Sequence, residues 1–524
     1  MKVLFFINHD GAIRNFEAFL HSLAERGHDV HLSAMGRRAA LMSQAQSLED
    51  FCGSNPRFSY DMTPKNKGEL SKLLAALSSA RSYLRYLGPE YENSPKLSER
   101  ARRYVHPAIL RFMERPGFRS RPGRWMLDRL LLATLDDLPT SPAMDSYVRS
   151  YEPDVALFTP LLTFRNHVQL SALRSAEKAG IPTALLVHSW DNLTNKGLIP
   201  TIPDRVAVWN DPQRKEAVSL HHVPENQVVV TGAHSYDHWF EAKPSTTREE
   251  FCARAGLDPE RPFVLYVCSS TFIAPHEVPF VERWISRLRQ SSDPRVSEIG
   301  VLVRPHPQNM PQWEGVGPEQ LQGGVVYPPI SGEWAGSRSR ADYFDSIHHC
   351  AAVMGINTTA QIESAIQGRP VLTWLVPEFR DTQEGTLHFE YIGGEDGLML
   401  TADSFEQHEQ QLAGVLVSND TERSRKFVEH FIRPQGVTVP STPILVDAVA
   451  GLADAGPVAR RARIGRTLAK PFIWMFRRTM VSLARRQSIQ DEFAEPEMPA
   501  KRPAKADRRK QKGERRREKM RAKR

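Results

Sequence analysis

Eleven short apolar runs, separated by stretches of helical periodicity, recur in two series along this 524-residue chain. Parallel strands cannot be joined by tight turns and need a crossover of a dozen or more residues, so this alternation specifies parallel sheets flanked by helices. The first series falls at residues 2–7, 30–34, 154–158, 183–187, 205–209 and 227–231, the second at 263–268, 300–303, 325–327, 351–354 and 371–374. Between the first two runs, Phe16, Phe19, Leu20 and Leu23 recur at helical spacing and Gly27 stops the helix, completing an opening βαβ unit. The expectation is an α/β protein of two Rossmann-like doubly wound domains, residues 1–240 and 241–456, facing a cleft at the carboxyl ends of both strand sets. Residues 68–150 read as a helical insertion in the first domain. No G-x-G-x-x-G follows the first strand, which argues against a dinucleotide-dependent oxidoreductase.

Charge divides the chain. Its net charge is +8, yet residues 457–524 hold 23 Lys and Arg against 7 Asp and Glu, an excess of 16 that leaves residues 1–456 at −8. The tail has two parts. In residues 460–487, Phe472, Trp474 and Phe476 stand among arginines, and Pro471 is expected to kink any helix; residues 501–524 are dominated by Lys and Arg, 14 of 24, with no apolar pattern. A basic segment carrying Trp and Phe suits an anionic membrane surface, at about 1 kcal/mol per basic side chain near the headgroups. Nucleic acid is the weaker expectation, because the body is acidic and has no base-stacking motif. The five apolar residues Val3 to Ile7 are too few for a signal sequence or a membrane span. Four cysteines, Cys52, Cys252, Cys268 and Cys350, lack metal-ligand spacing and fit buried, reduced thiols of a cytoplasmic protein.

The densest chemical signal runs from Gly355 to Thr373. An apolar strand leads into Gly355, the polar Asn357, Thr358 and Thr359 open a helix, and Gly368 closes it. Thr358 and Gln361 have capping-box spacing, and the unpaired N–H groups of such a first turn favour an anion, for example a diphosphate. Arg304, in Arg304-Pro305-His306-Pro307, ends a buried-type strand and would offer that diphosphate a fixed planar cation. His306 would protonate or hydrogen-bond the leaving phosphate, and Ser269, Ser270 and Thr271 would line the same site. In the first domain, His188-Ser189-Trp190-Asp191-Asn192 follows the run at 183–187, while His9 and Asp10 follow the first strand. His188 or Asp191, or alternatively His9 or Asp10, would supply the general base for an acceptor hydroxyl; only one pair need be catalytic. Lys196 either reaches a phosphate or is solvated, and His234 and Asp237 read as hinge residues. Without a D-x-D or two-metal pattern, catalysis by fixed cations and a helix terminus is expected, with no metal and no cofactor beyond the nucleotide-activated substrate.

Three segments resemble the GT-B glycosyltransferase superfamily and its relatives, the UDP-N-acetylglucosamine 2-epimerases and the CDP-glycerol glycerophosphotransferases. They are residues 223–237, with Thr231-Gly232 ahead of Tyr236-Asp237; residues 301–307, with the R-P-H-P turn; and residues 351–372, where His349-Cys350 stand near the place of a family Asp. The resemblance spans about residues 1–455 outside the insertion. It implies that Asn357, Thr358 and Thr359 meet the donor's phosphates and that Glu363 accepts from a ribose hydroxyl. It further implies a nucleotide-sugar or CDP-polyol donor and a glycan or lipid-linked acceptor in cell-envelope polysaccharide synthesis. With the basic tail, it suggests a peripheral enzyme at the inner face of the plasma membrane. A sugar-nucleotide epimerase and a non-catalytic, membrane-associated assembly protein of the same fold are the alternatives.

Overall fold

Strand order, more than strand count, positions the cleft. The computed structural model describes all residues except 37–46, 65–67, 163, 165–166, 330–338, 419, 459–465 and 486–524. The basic run at 501–524 therefore lies outside the described residues. The first sheet contains β1 (Lys2–His9), β2 (Asp29–Gly36), β3 (Phe58–Met62), β4 (Val155–Thr159), β5 (Thr183–Leu186), β6 (Arg205–Val208) and β7 (Val228–Val230). The second contains β8 (Phe263–Val267), β9 (Gly300–Arg304), β10 (Val325–Val326), β11 (Ala352–Gly355), β12 (Val371–Trp374) and β13 (Met399–Ala402). Their orders are β3-β2-β1-β4-β5-β6-β7 and β10-β9-β8-β11-β12-β13, and every pairing is parallel. In each sheet the winding reverses beside the first strand, between β1 and β4 and between β8 and β11, and ligand crevices of doubly wound sheets open at such points.

The apolar runs are unbroken because both faces of each central strand are covered. On β1, Phe5 meets Phe16 edge-on at 5.1 Å, whereas Phe6 stacks on Phe158 at 5.0 Å on the opposite face. β3 and β13, absent from the eleven runs, are edge strands with mixed burial, so no apolar run marks them. The insertion is helical, with helices Glu69–Arg85, Pro95–Tyr104, Pro107–Met113, Pro116–Arg119 and Arg121–Asp137. Four of these carry proline in their first two positions, where its fixed φ suits helix initiation and its missing N–H costs nothing.

Two later helices return to earlier parts of the chain. Helix Ser441–Ala455 packs Leu445, Val446, Val449 and Leu452 into the core of the first sheet. Asp237 anchors this return, accepting from Arg433 Nη2 at 2.7 Å and from the N–H groups of Ser441 and Thr442 at 3.0 and 2.6 Å. Gly232 allows the approach: its φ is +80°, and a Cβ there would lie 2.1 Å from Ser441 Oγ. Helix Arg466–Arg485 continues through Pro471 and buries Phe476 and Met480 with Leu127 and Leu131 of the insertion. Phe476, expected at a membrane, is thus an internal packing residue, while Trp474 and Met475 are 57% and 58% exposed. Among the described residues no helix is long and apolar enough to cross a membrane. All four cysteines are buried free thiols.

Candidate functional site

The first-domain side of the site is built where β1, β4 and β5 end side by side. Thr159, the last residue of β4, donates its hydroxyl to Leu186 O at 3.0 Å, and the same oxygen lies 3.0 Å from His188 Nδ1. With its proton committed, the hydroxyl can only accept, so Nδ1 carries the imidazole proton and Nε2 keeps the lone pair. Burial pushes His188 down to about 4, assisted by Lys196, His9 and Arg14 and opposed by Asp191. It is a neutral imidazole with a fixed basic nitrogen. His9 closes β1 near enough for its charge to be felt at His188, so the two base positions suggested by the sequence belong to one site. Asp10 accepts from the Gly11 N–H at 2.8 Å within its own turn.

Asp191 is an anion held in place. It accepts from Ser189 Oγ and Asn195 Nδ2, each at 2.6 Å, and from Asn192 Nδ2 at 3.3 Å. Burial alone would raise its pKa, but Lys196, His388, the Ser189 hydrogen bond and His188 outweigh it and bring it down to about 2. A carboxylate so engaged is a weak base and a good electrostatic anchor. Lys196 is half-buried beside this cluster and lowers the pKa of Asp191.

The insertion grips the loop that carries these groups. Arg85 Nη1 donates to Leu193 O at 2.9 Å, Tyr86 OH to Lys196 O at 2.6 Å, and Tyr91 OH to Thr194 O at 3.0 Å. Arg81 Nη1 donates to Pro200 O at 3.0 Å, and Arg100 reaches both carbonyl oxygens of Asn195. Buried carbonyls of an irregular loop need such donors, so the insertion is the scaffold of this loop.

On the second-domain side, β8, β9 and β11 end together. Asn357, Thr358 and Thr359 lead into helix Thr359–Ile366, and Gln361 Oε1 accepts from the Thr358 N–H at 2.9 Å. Among the described residues no group accepts from the N–H of Thr359 or Ala360, leaving two open donors at the positive end of the helix. Arg304 ends β9, its guanidinium 5.0 Å from the Tyr343 ring centroid, and burial lowers its pKa. The Tyr343 hydroxyl donates to Glu363, whose carboxyl burial raises to about 7 against the pull of Tyr343 and of Arg14.

Other predicted groups turn inward. The Asn357 amide donates to Thr386 Oγ1 at 3.3 Å and Thr382 O at 3.5 Å. Ser269 is fully buried, its N–H on the Glu277 carboxylate at 3.0 Å and its hydroxyl 3.4 Å from the Asn357 N–H, and Ser270 accepts from Ile273 and Ala274 through its main-chain carbonyl. These residues shape the crevice from behind. His306 Nδ1 accepts from the Gln308 N–H at 3.1 Å, which leaves the proton on Nε2, and burial pushes its pKa down to about 4.

Direct contacts join the two sides. Trp190 Nε1 donates to Thr359 Oγ1 at 3.3 Å, and Arg14 of the first domain acts electrostatically on Glu363 of the second. His388, which follows β12, lies edge-on to Trp190 at 4.7 Å with Nδ1 3.1 Å from Thr194 Oγ1. Thr194 donates its own hydroxyl to Asp191 O at 3.1 Å, so it fixes the His388 tautomer as Thr159 fixes that of His188. Burial brings His388 to about 4, opposed by Asp191 and assisted by Arg100 and Lys196. His388, Arg14 and Tyr343 were missed from the sequence, where each is an isolated residue outside any motif. Among the described residues no group of three or more His, Cys, Asp or Glu side chains is arranged to hold a metal ion.

Two Rossmann-like domains, each with its crevice at a winding reversal and joined by these contacts, define the fold class: a two-domain α/β protein of GT-B type. No family model matches the sequence, and no curated protein matches it. Solved structures similar to this chain include a UDP-GlcNAc 2-epimerase from Methanocaldococcus jannaschii, at 10% identity and TM-score 0.48, covering 86% of this chain and 100% of that one. A UDP-GlcNAc 2-epimerase from Neisseria meningitidis, bound to UDP-GlcNAc, has 12% identity and TM-score 0.48 with the same coverage. A glycosyltransferase from Rickettsia africae has 10% identity and TM-score 0.47, covering 86% of this chain and 98% of that one. At such scores the fold class rests on the two strand orders themselves.

Proposed function

We propose that this protein is a transferase that moves a sugar or a polyol phosphate from a nucleotide-activated donor to a polysaccharide or glycolipid acceptor of the cell envelope. One observation carries this: the two open N–H groups at the start of helix Thr359–Ile366 stand one hydrogen bond, Trp190 to Thr359, from the loop that bears His188 and Asp191. The helix end suits the donor's diphosphate, Arg304 adds a cation, and Glu363 suits a ribose hydroxyl. His188 Nε2 takes the proton of the acceptor hydroxyl as its oxygen bonds to the donor's carbon or phosphorus. The bond to the nucleotide breaks in the same step, and its electron pair leaves on the nucleotide phosphate, beside the cationic groups Arg304, Lys196 and Arg14.

A sugar-nucleotide epimerase is the alternative, favoured by the second neutral imidazole, His388, across Asp191 from His188. Incubating a nucleotide sugar with no acceptor separates the two, since only an epimerase then makes an isomeric nucleotide sugar. Membrane contact at the inner face of the plasma membrane is part of the proposal. The charge of the tail and the exposed Trp474, with Arg478 over its ring at 4.7 Å, support it. The test of the donor site is a thermal-shift screen against UDP, GDP, CDP, CMP and their sugar or glycerol conjugates. One nucleotide family raises the midpoint in the wild type and not in Arg304→Ala. No shift with any of them removes the donor site and turns the protein into a non-catalytic assembly factor.

A further inference from the structure

The two exposed tryptophans among the described residues stand in the same five-residue pattern. In helix Arg121–Asp137 of the insertion the run is Trp125-Met126-Leu127-Asp128-Arg129, and in helix Arg466–Arg485 it is Trp474-Met475-Phe476-Arg477-Arg478. The third residue of each run, Leu127 or Phe476, is buried in the core that the two helices share, and Arg477 Nη1 lies 3.5 Å from Asp137 Oδ2 between them. Helical spacing then turns the first two residues of each run outward: Trp125 and Met126 are 64% and 48% exposed, as Trp474 and Met475 are on their helix. Half of the eight large hydrophobic side chains exposed among the described residues therefore lie on this one pair of helices. In each run the arginine one turn on lies over the tryptophan ring, Arg129 at 5.5 Å from the Trp125 centroid and Arg478 at 4.7 Å from that of Trp474.

The insertion around the first run is basic. Residues 95–130 hold ten Lys and Arg against three Asp and Glu, an excess of 7 that leaves the other residues of 1–456 at −15. All three carboxylates are paired, Glu99 with Lys96, Glu114 with Arg102 and Asp128 with Arg81, whereas Arg121 and Arg129, one turn to either side of Trp125, make no ion pair among the described residues. Exposed tryptophan and methionine among unpaired arginines match an anionic bilayer surface, where the rings sit at headgroup level and the guanidinium groups meet phosphate. The chain's own residues 486–524, with 15 Lys and Arg against 7 Asp and Glu, have the wrong sign of charge to cover such a face.

We propose that the exposed face of helix Arg121–Asp137, together with that of helix Arg466–Arg485, docks on an anionic lipid surface. This extends to the insertion the membrane contact proposed for the tail, and rests on that reading. Stable anchoring takes two signals, here the charge of the tail and the Trp-Met pairs of the two helices.

All four native cysteines are buried, so an introduced exposed cysteine takes a thiol-reactive dye selectively. Met126→Cys and, as a reference on the second domain, Val417→Cys are each labelled with an environment-sensitive fluorophore in the full chain; Val417 is exposed on helix Phe405–Ser418. With vesicles of mixed phosphatidylglycerol and phosphatidylcholine, the dye at 126 is expected to shift to the blue and to be quenched by nitroxide-labelled lipid, with no change at 417 and none at either position on pure phosphatidylcholine. In the unlabelled chain, Trp125→Ala combined with Met126→Ala weakens binding to the mixed vesicles about ten-fold and keeps the nucleotide thermal shift. Vesicle binding with an unchanged dye at 126, or with equal changes at 126 and 417, overturns the proposal and leaves the tail as the membrane contact. Absence of vesicle binding by the full chain removes the tail reading and this face with it. A response at 126 to single-stranded DNA and not to vesicles overturns the proposal in favour of nucleic acid.

Discussion

Thr159 and Thr194 each decide which nitrogen of a histidine is basic, and they do so because their own protons are already given to main-chain carbonyls. His188→Asn is expected to lower kcat about 10²- to 10⁴-fold while the nucleotide-induced thermal shift persists, because a general base acts on the acceptor proton and not on donor binding. Unchanged turnover removes His188 from the chemistry. Thr159→Val tests the tautomer itself: nitrogen-15 spectra of the wild type should show a protonated Nδ1 at His188, and the variant a mixture of tautomers. A wild-type spectrum with protonated Nε2 contradicts the assignment.

At the scale of elements, the insertion and the helix Arg466–Arg485 form one packed unit around Leu127, Leu131, Phe476 and Met480. Phe476→Ala is expected to weaken this docking by about 3 kcal/mol, through lost burial and the cavity left behind. Faster amide exchange across residues 466–485, with exchange of β1 unchanged, is the measurement that checks it. Trp474→Ala, at an exposed position, should leave exchange as it is and reduce binding to anionic vesicles. Because this helix belongs to the core of the insertion, deletion from residue 457 would strip packing as well as charge. Truncation after Arg485 keeps that helix and removes 15 Lys and Arg against 7 Asp and Glu; that chain should retain the nucleotide shift and lose vesicle binding.

For the whole molecule, the apposition of the two domains includes a buried carboxyl. Tyr391 OH donates to Glu216 at 2.5 Å, and burial raises Glu216 to about 8 from 4.5, against the pull of Tyr391 and Arg85. A raised carboxyl favours the folded state in its neutral form, so this stabilisation is complete below about 4.5 and is lost as pH rises through about 8. Thermal midpoints measured across that window should fall with rising pH in the wild type and less steeply in Glu216→Gln, which keeps an acceptor for Tyr391. Identical slopes would mean that Glu216 is ionised in the folded chain.

The sequence by itself determined the two parallel sheets, since strands covered on both faces must be apolar throughout and therefore show as runs such as Val3 to Ile7. It also carried the helix start at Thr358 with Gln361, whose partners are three residues apart, and the placing of His188 and Asp191 just past a strand end. The edge strands β3 and β13 were hidden because half-exposed strands need no apolar run. What only the tertiary structure decided is which groups face one another: His388 meets Thr194 from 194 residues away, and Glu363 feels Arg14. Burial periodicity and capping are written in neighbours a few residues apart. The partner of a side chain across a cleft is set by how the two sheets are brought together, and no local pattern records that.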